Sequence, residues 1–250
     1  MMVSETLMDK LLQLRLPAFR EGLRQQMTNP QYAQLSFEER LLLLVDMECV
    51  RRLDHRTQRR LKLAGFPIRA AVEDIDFSPE RGLDRHLVLE LSQSLWIDKA
   101  LNLIVSGATG TGKTYLACAL GYAACKLGYS VRYFRTARFL HDFNIANRDN
   151  TFLTMLKSLS KVDLLILDDW MRDPIQLSAA QSLLELFDDR FGHSSTIIVS
   201  QVPVSDWFTR FPDPTLADAI LDRTIHNAYR LDLAGESQRK LHEFRTMPHT

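Results

Sequence analysis

At 250 residues, 46% of them hydrophobic, the chain has enough apolar material for the core of one α/β domain with a small appendage. No apolar run approaches the roughly 18 residues that cross a bilayer, and the start lacks a secretory hydrophobic stretch, so a cytoplasmic protein without membrane contact is expected. A formal net charge of zero argues against a uniformly basic nucleic-acid binder, but residues 1–70 carry 12 Lys and Arg against 8 Asp and Glu, whereas residues 71–250 carry 19 against 23.

Residues 4 to about 64 show no strand-like alternation. Leucines recur at helical spacing, as at Leu7, Leu11 and Leu14 and again at Leu41, Leu44 and Val45. Pro17 and Asn29-Pro30 punctuate them, and Ser36 with Glu39 makes a capping box for a following helix. The expectation is a small all-helical domain over residues 1–68. Its last helix carries Arg51, Arg52, Arg56, Arg59, Arg60 and Lys62. Arg52, Arg56, Arg59 and Arg60 fall near one face, so their guanidinium groups are candidates for a DNA phosphate backbone; a plain solvated face is the competing reading. Gly65-Phe66-Pro67 ends the helix and opens a linker. Cys49, Cys118 and Cys125 have no metal-ligand spacing and read as small buried hydrophobes.

Residues 69–250 form the second predicted domain. A helical run, Leu83 to Leu95, precedes its first strand, and Ile75 with Phe77, or Leu95 with Trp96, are candidates to cover an adenine ring or to pack the core. The apolar run Leu101 to Val105 then leads into Gly107, Gly110, Gly112, Lys113 and Thr114, the G-x-x-x-x-G-K-[ST] phosphate loop. The glycines let the backbone curl so that its N–H groups face a phosphate at the positive end of the next helix. The whole stretch, Gly107, Ala108, Thr109, Gly110, Thr111, Gly112, Lys113, Thr114 and Tyr115, is the candidate ATP-binding segment. Lys113 is expected at the β- and γ-phosphates, and the Thr114 hydroxyl on Mg²⁺. The helix that follows should run from Tyr115 to Leu127 and close at Gly128.

Strand and helix alternate from there. Ser130 to Phe134 reads as a strand, Thr136 as the cap of a helix through Ile145, and Thr151 to Leu159 as another helix. Val162 to Leu167 is apolar on both faces, as a central parallel strand must be, and ends in Asp168-Asp169, where open α/β sheets place their ligands. Asp168 is therefore expected to hold Mg²⁺ through water, with Asp169 beside it to orient the attacking water; a plain acidic turn after the strand is the competing reading. Ser178 is read as capping the helix Ala179 to Phe191. The buried strand Thr196 to Ser200 ends in Ser200-Gln201, either of which is a candidate to sense the γ-phosphate, with a plain strand-ending turn as the competing reading. The helix Thr215 to Asn227 offers Arg223 as a finger for a neighbouring subunit's γ-phosphate, and Tyr229 to Leu233 is the last strand.

Taken together, the phosphate loop, Asp168-Asp169, Ser200-Gln201-Val202-Pro203-Val204 with Trp207, Leu216 to Arg223, and Gly235-Glu236-Ser237-Gln238-Arg239-Lys240 resemble the IstB family, over nearly the whole chain. These are AAA+ ATPase helpers of insertion-sequence transposases, related to bacterial helicase loaders. The resemblance implies an AAA+ P-loop NTPase with a parallel five-stranded sheet in the order 5-1-4-3-2. It implies Mg²⁺-dependent ATP hydrolysis, a homo-oligomer with the ATP site at a subunit interface, assembly on duplex DNA, and a cognate transposase as partner. Lys113 and Thr114 then stand for Walker A, Asp168 and Asp169 for Walker B, Ser200 or Gln201 for sensor 1, Arg223 for the finger and Arg239 for a second sensor. Two departures are visible: Asp169 stands where the family pattern usually has Glu, and too few residues follow Arg239 for a full helical lid. A helicase loader is the nearest alternative, and a P-loop small-molecule kinase, which would need an arginine-rich lid, is the third. Arg132, Arg135, Arg138 and Arg148 offer a second basic set in the core.

Overall fold

The structure is a computed structural model that describes residues 2–236. It divides between Arg59 and Arg60 into two compact units.

In the first unit, helix α1 (Met2–Gln13) is followed by α2 (Pro17–Thr28), which starts on its proline because that position needs no N–H. Asn29 accepts from Gln31 N at 3.0 Å and turns the chain into a short 3₁₀ segment, Pro30–Gln34. The capping box is formed: Glu39 N donates to Ser36 Oγ at 3.2 Å, and Ser36 N to Glu39 Oε2 at 2.8 Å. The helix it starts, α3 (Phe37–Ala64), has 28 residues and carries the arginine row; its residues from Arg60 on belong to the second unit.

Helix α2 has no side-chain cap of its own at Leu16. Glu48, buried on α3, supplies it from across the unit by accepting from Ala18 N at 2.9 Å and Phe19 N at 3.3 Å. Arg52 Nε donates to the same carboxylate at 3.1 Å, and Arg51 Nη1 stands 3.6 Å away. Burial pushes the Glu48 carboxyl up, but these hydrogen bonds and charges outweigh it and hold it below the usual carboxylate range.

The second unit is built on five parallel strands, β1 (Asn102–Gly107), β2 (Val131–Arg135), β3 (Leu164–Trp170), β4 (Ser195–Ser200) and β5 (Ala228–Leu233). Their order is β2-β3-β4-β1-β5, as expected. Alternation sorts the strand residues onto two cores. Leu103, Val105, Leu164, Ile166, Ile197 and Val199 pack with helix α6 (Lys113–Leu127) and with the helices ahead of β1, α4 (Arg85–Ser92) and α5 (Leu95–Asp98). Ile104, Leu165, Leu167 and Ile198 pack on the other face with α7 (Thr136–Arg148), α8 (Phe152–Leu159), α9 (Leu177–Arg190) and α10 (Pro214–Ile225). Each fully buried Leu or Ile contributes about 1.5–3 kcal/mol, which is why a sheet covered on both faces tolerates so few polar interior residues.

One buried polar residue earns its place by closing backbone groups. Arg190, 1% exposed, donates from Nη1 to Leu159 O at 2.7 Å and Val162 O at 2.8 Å, and from Nη2 to Ser195 O. It ties the end of α8 to the starts of β3 and β4, and burial pulls its guanidinium down to about 10.

Several local expectations need correction. Thr136 is the first residue of α7 and not its cap, because its hydroxyl donates to Asp168 O at 2.8 Å instead. Ser178 likewise lies inside α9, which Gln176 precedes as the cap residue without a side-chain bond. The run Leu83 to Leu95 is two helices, broken where Ser94 turns to φ 60°. Cys118 and Cys125 are buried, and burial pushes both thiols up to about 12, but Cys49 is exposed.

Candidate functional site

The phosphate loop joins the carboxyl end of β1 to the amino end of α6. Gly107 has φ 142°, and its Cα is pressed so closely against the Leu233 carbonyl that a β-carbon there would overlap it. Gly112 has φ 89°, and a β-carbon on it would stand 3.0 Å from Arg81 Nη2. Only glycine lets the loop close in this space. Lys113 Nζ lies over the loop and donates to Gly107 O at 2.8 Å and Ala108 O at 2.7 Å. Burial lowers its ammonium pKa, while the Asp168 and Asp169 carboxylates pull it back up. Tyr115, on the first turn of α6, exchanges hydrogen bonds with the Ala71 backbone, at 3.3 Å from Ala71 N.

Asp168 is the hub. It is 3% exposed, and its Oδ2 accepts from Thr114 Oγ1 at 2.8 Å and Tyr133 OH at 2.6 Å, while Oδ1 accepts from Asp169 N at 2.8 Å. Burial and this carboxylate together raise the Tyr133 phenol, so it stays a donor. Nothing in the local sequence marks Tyr133, because its meeting with Asp168 depends on β2 lying beside β3. A hydroxyl and a carboxylate at hydrogen-bond distance form a pair of hard oxygen donors suited to Mg²⁺.

The strand does not stop at these acids. β3 runs on to Trp170, which pairs Ser200, while Leu167 pairs Ile198. Two residues of β3, Asp168 and Asp169, therefore oppose one of β4, which is a β-bulge. Asp169 takes φ 57° there, and the bulge turns a half-buried second carboxylate out of the ladder. Asp and Asn reach that conformation more readily than longer side chains, a physical reason for Asp at this position.

Of the two sensor candidates, Gln201 meets the loop: Thr109 Oγ1 donates to its Oε1 at 2.6 Å. Ser200 is fully buried and its hydroxyl closes the strand end, donating to Trp170 O at 2.8 Å and accepting from Val202 N at 3.0 Å. Ser106, Gly107, Ala108, Gln201, Arg230 and Asp232 line a cleft of about 430 Å³ on this side of the loop.

Arg223 sits elsewhere. Its backbone oxygen accepts from Asn102 Nδ2 at 3.1 Å, at the opposite end of β1 from Gly107. Five residue steps of strand put these ends roughly 17 Å apart. Its guanidinium pairs with Asp188 and donates from Nη1 to Ala219 O at 2.7 Å. Arg239 lies outside the described residues. Of the adenine candidates, Ile75 and Trp96 are buried in the core, Trp96 donating to Leu91 O at 2.9 Å; Leu95 is 64% exposed, and Phe77 lies 5.8 Å from Arg85.

The arginine row is not uniform. Arg56 and Arg59 are exposed, and among the described residues no carboxylate lies within ion-pair distance of them. Arg52 is engaged by Glu48, and Arg60 is half-buried beside Gly128 and Cys125. In the core, Arg132 Nη1 donates to Leu63 O at 2.6 Å, while Arg135, Arg138 and Arg148 are exposed.

The family profile described as IstB-like ATP binding protein matches residues 9–246. An insertion sequence ATP-binding protein of Sinorhizobium fredii (strain NBRC 101917 / NGR234), y4pL, is 42% identical over 239 residues, covering 96% of this chain and 98% of that protein. Among solved structures, the DnaC helicase loader matches 66% of this chain and 96% of its own, with a TM-score of 0.53 and 17% identity. The replication initiator DnaA bound to AMPPCP and single-stranded DNA matches 74% of this chain and 58% of its own, with a TM-score of 0.59 and 20% identity. The last two establish likeness of fold: an AAA+ P-loop sheet with its flanking helices.

Proposed function

The chain belongs to the IstB-like ATP-binding proteins of insertion sequences, and we propose that it is a Mg²⁺-dependent ATPase that assembles on duplex DNA and hands that DNA to its cognate transposase. The observation that carries the ATPase reading is the contact between Thr114 Oγ1 and Asp168 Oδ2 at 2.8 Å beside the glycine loop. In this reading the loop amides from Gly107 to Tyr115 and the Lys113 ammonium bind the phosphate chain. Exchanging the two loop carbonyls for phosphate oxygens gives the Lys113 ammonium anionic acceptors in place of neutral ones. Thr114 and Asp168 hold Mg²⁺, which supplies charge neutralisation on the phosphates. Tyr133 fixes the Asp168 carboxylate in that orientation. Asp169, turned out by the bulge, holds and orients the attacking water, and Gln201 reports on the loop through Thr109.

Assembly and DNA contact are supported by position and charge. Arg223, remote from its own loop, fits a finger acting on the next subunit's nucleotide, released from Asp188 on assembly. Arg56 and Arg59 are free to meet phosphates, with Arg52 beside them. The insertion-sequence relatives favour a transposase over a helicase as the partner.

The test is ATP hydrolysis by the purified full chain with Mg²⁺ or with EDTA, with and without duplex DNA, followed by strand transfer with the proposed cognate transposase. Mg²⁺-dependent hydrolysis and ATP-dependent stimulation of strand transfer are expected. Hydrolysis unaffected by EDTA, or strand transfer indifferent to the protein, overturns the corresponding half.

A further inference from the structure

Arg81 lies on a single 3₁₀ turn, Pro79–Arg81, ahead of β1, and the sequence marks it in no way. Its side chain is nevertheless 6% exposed and reaches the phosphate loop, where Nη2 donates to Thr111 O and crowds Gly112. Its backbone is fastened on the other side: Arg81 O accepts from Ala234 N at 3.0 Å, just past β5. Nε is buried without a hydrogen-bond partner. Among the described residues no Asp or Glu lies within ion-pair distance of the guanidinium.

A buried guanidinium of this kind is costly. One neutral carbonyl does not compensate a desolvated positive charge, and an orphaned buried donor adds its own desolvation penalty. Arg190 shows how this fold satisfies a buried arginine that only holds structure together: three carbonyls accept from its two terminal nitrogens. Arg81 is provided for far less well, and it sits against the one segment of the chain built to gather anionic oxygens.

We propose that Arg81 is a nucleotide-binding residue whose counter-charge is the phosphate chain of the protomer's own bound nucleotide, on the α- and β-phosphate side. That side follows from its contacts. The residues that mark the γ-phosphate end are Thr114 with Asp168, Asp169, and Gln201 on Thr109. Arg81 bonds to none of these and approaches at Thr111 and Gly112, from the segment ahead of β1. The proposal rests on the nucleotide reading of the loop and adds a ligand from outside the motif.

The experiment is calorimetric titration of ATP and ADP into wild type, Arg81→Met and Arg81→Lys, with the Tm of each measured with and without nucleotide. Met keeps the volume and removes the charge. It is expected to weaken ATP and ADP alike by roughly ten- to a hundredfold, the worth of one charge-assisted bond. Its Tm without nucleotide should stay level or rise, because a buried uncompensated charge has been removed, and the rise in Tm on adding ADP should shrink. Lys restores a point charge and should recover much of the ADP affinity. A Met variant that binds both nucleotides like wild type overturns the proposal alone, while a wild type that binds neither overturns the nucleotide reading with it. A Met variant that melts lower without nucleotide, with Lys failing to rescue binding, shows a structural strut and overturns the proposal. Loss of ATP affinity with ADP affinity intact moves Arg81 to the γ-phosphate and overturns its placement.

Discussion

Lys113 and Thr114 are adjacent on the first turn of α6 yet answer to different parts of the site, the loop carbonyls in one case and Asp168 in the other. Lys113→Ala removes no core contact, so ATP affinity should vanish in calorimetry while the Tm without nucleotide stays close to wild type. Asp169→Asn should keep ATP bound and slow turnover by roughly a hundredfold or more, the usual worth of a positioned base. Asn also accepts the left-handed φ of 57°, so the change reads out chemistry and not backbone strain. Wild-type turnover in Asp169→Asn would pass the role to another residue. Tyr133→Phe deletes one of the three bonds to the Asp168 carboxylate, and should lower stability by about 1–2 kcal/mol and turnover several-fold. Unchanged turnover in a steady-state assay would remove Tyr133 from the site. At this scale the motif residues were legible in the sequence because their spacing is local. Tyr133 and Arg81 were not, since each meets the site only after the chain has crossed between elements.

Among the elements, a bulge in β3 carries Asp169, and Glu48 of α3 caps α2. The strands were legible from their apolar runs, and the order of the sheet followed from the family resemblance. What could not be read was the course of the ladder past Leu167, because an apolar-to-acidic change looks like a strand end when it is a bulge followed by Trp170. Thr136 and Ser178 misled for a related reason: cap-type residues were at hand, but tertiary partners claimed Thr136, and the chain entered α9 one residue before Ser178. Glu48 gives the first unit a pH dependence. Its folded pKa is depressed, so the stability it confers is full above the unfolded carboxyl value of about 4.3 and is lost as pH falls through the lower folded value. Glu48→Gln should therefore speed hydrogen exchange at the Ala18 and Phe19 amides near neutrality, corresponding to about 1 kcal/mol for a lost helix cap. The ratio of variant to wild-type exchange should shrink toward one in acid. Equal exchange at neutral pH would show that Glu48 does not cap α2.

For the whole molecule the proposal is that a neighbouring protomer's Arg223 completes the site and that assembly takes place on DNA. Arg223 was legible as a late arginine, but its pairing with Asp188 and its place at the far end of β1 were not. The arginines of α3 were legible as a row, whereas the structure separates Arg56 and Arg59, exposed, from Arg52 on Glu48 and half-buried Arg60. Replacing Arg56 and Arg59 with Ala should weaken binding to every duplex sequence alike and flatten the slope of log affinity against log salt by about 0.9 per lost contact. An unaltered slope would leave exposed Arg135, Arg138 and Arg148 of the core as the DNA contacts. The most direct measurement is sedimentation velocity of the full chain with duplex DNA, without nucleotide, with ADP and Mg²⁺, and with ATP and Mg²⁺. A multi-protomer complex on DNA is expected only with ATP, persisting in Asp169→Asn and absent in Lys113→Ala. The same complex with and without ATP, or wild-type assembly by Lys113→Ala, would contradict an ATP-gated assembly on DNA.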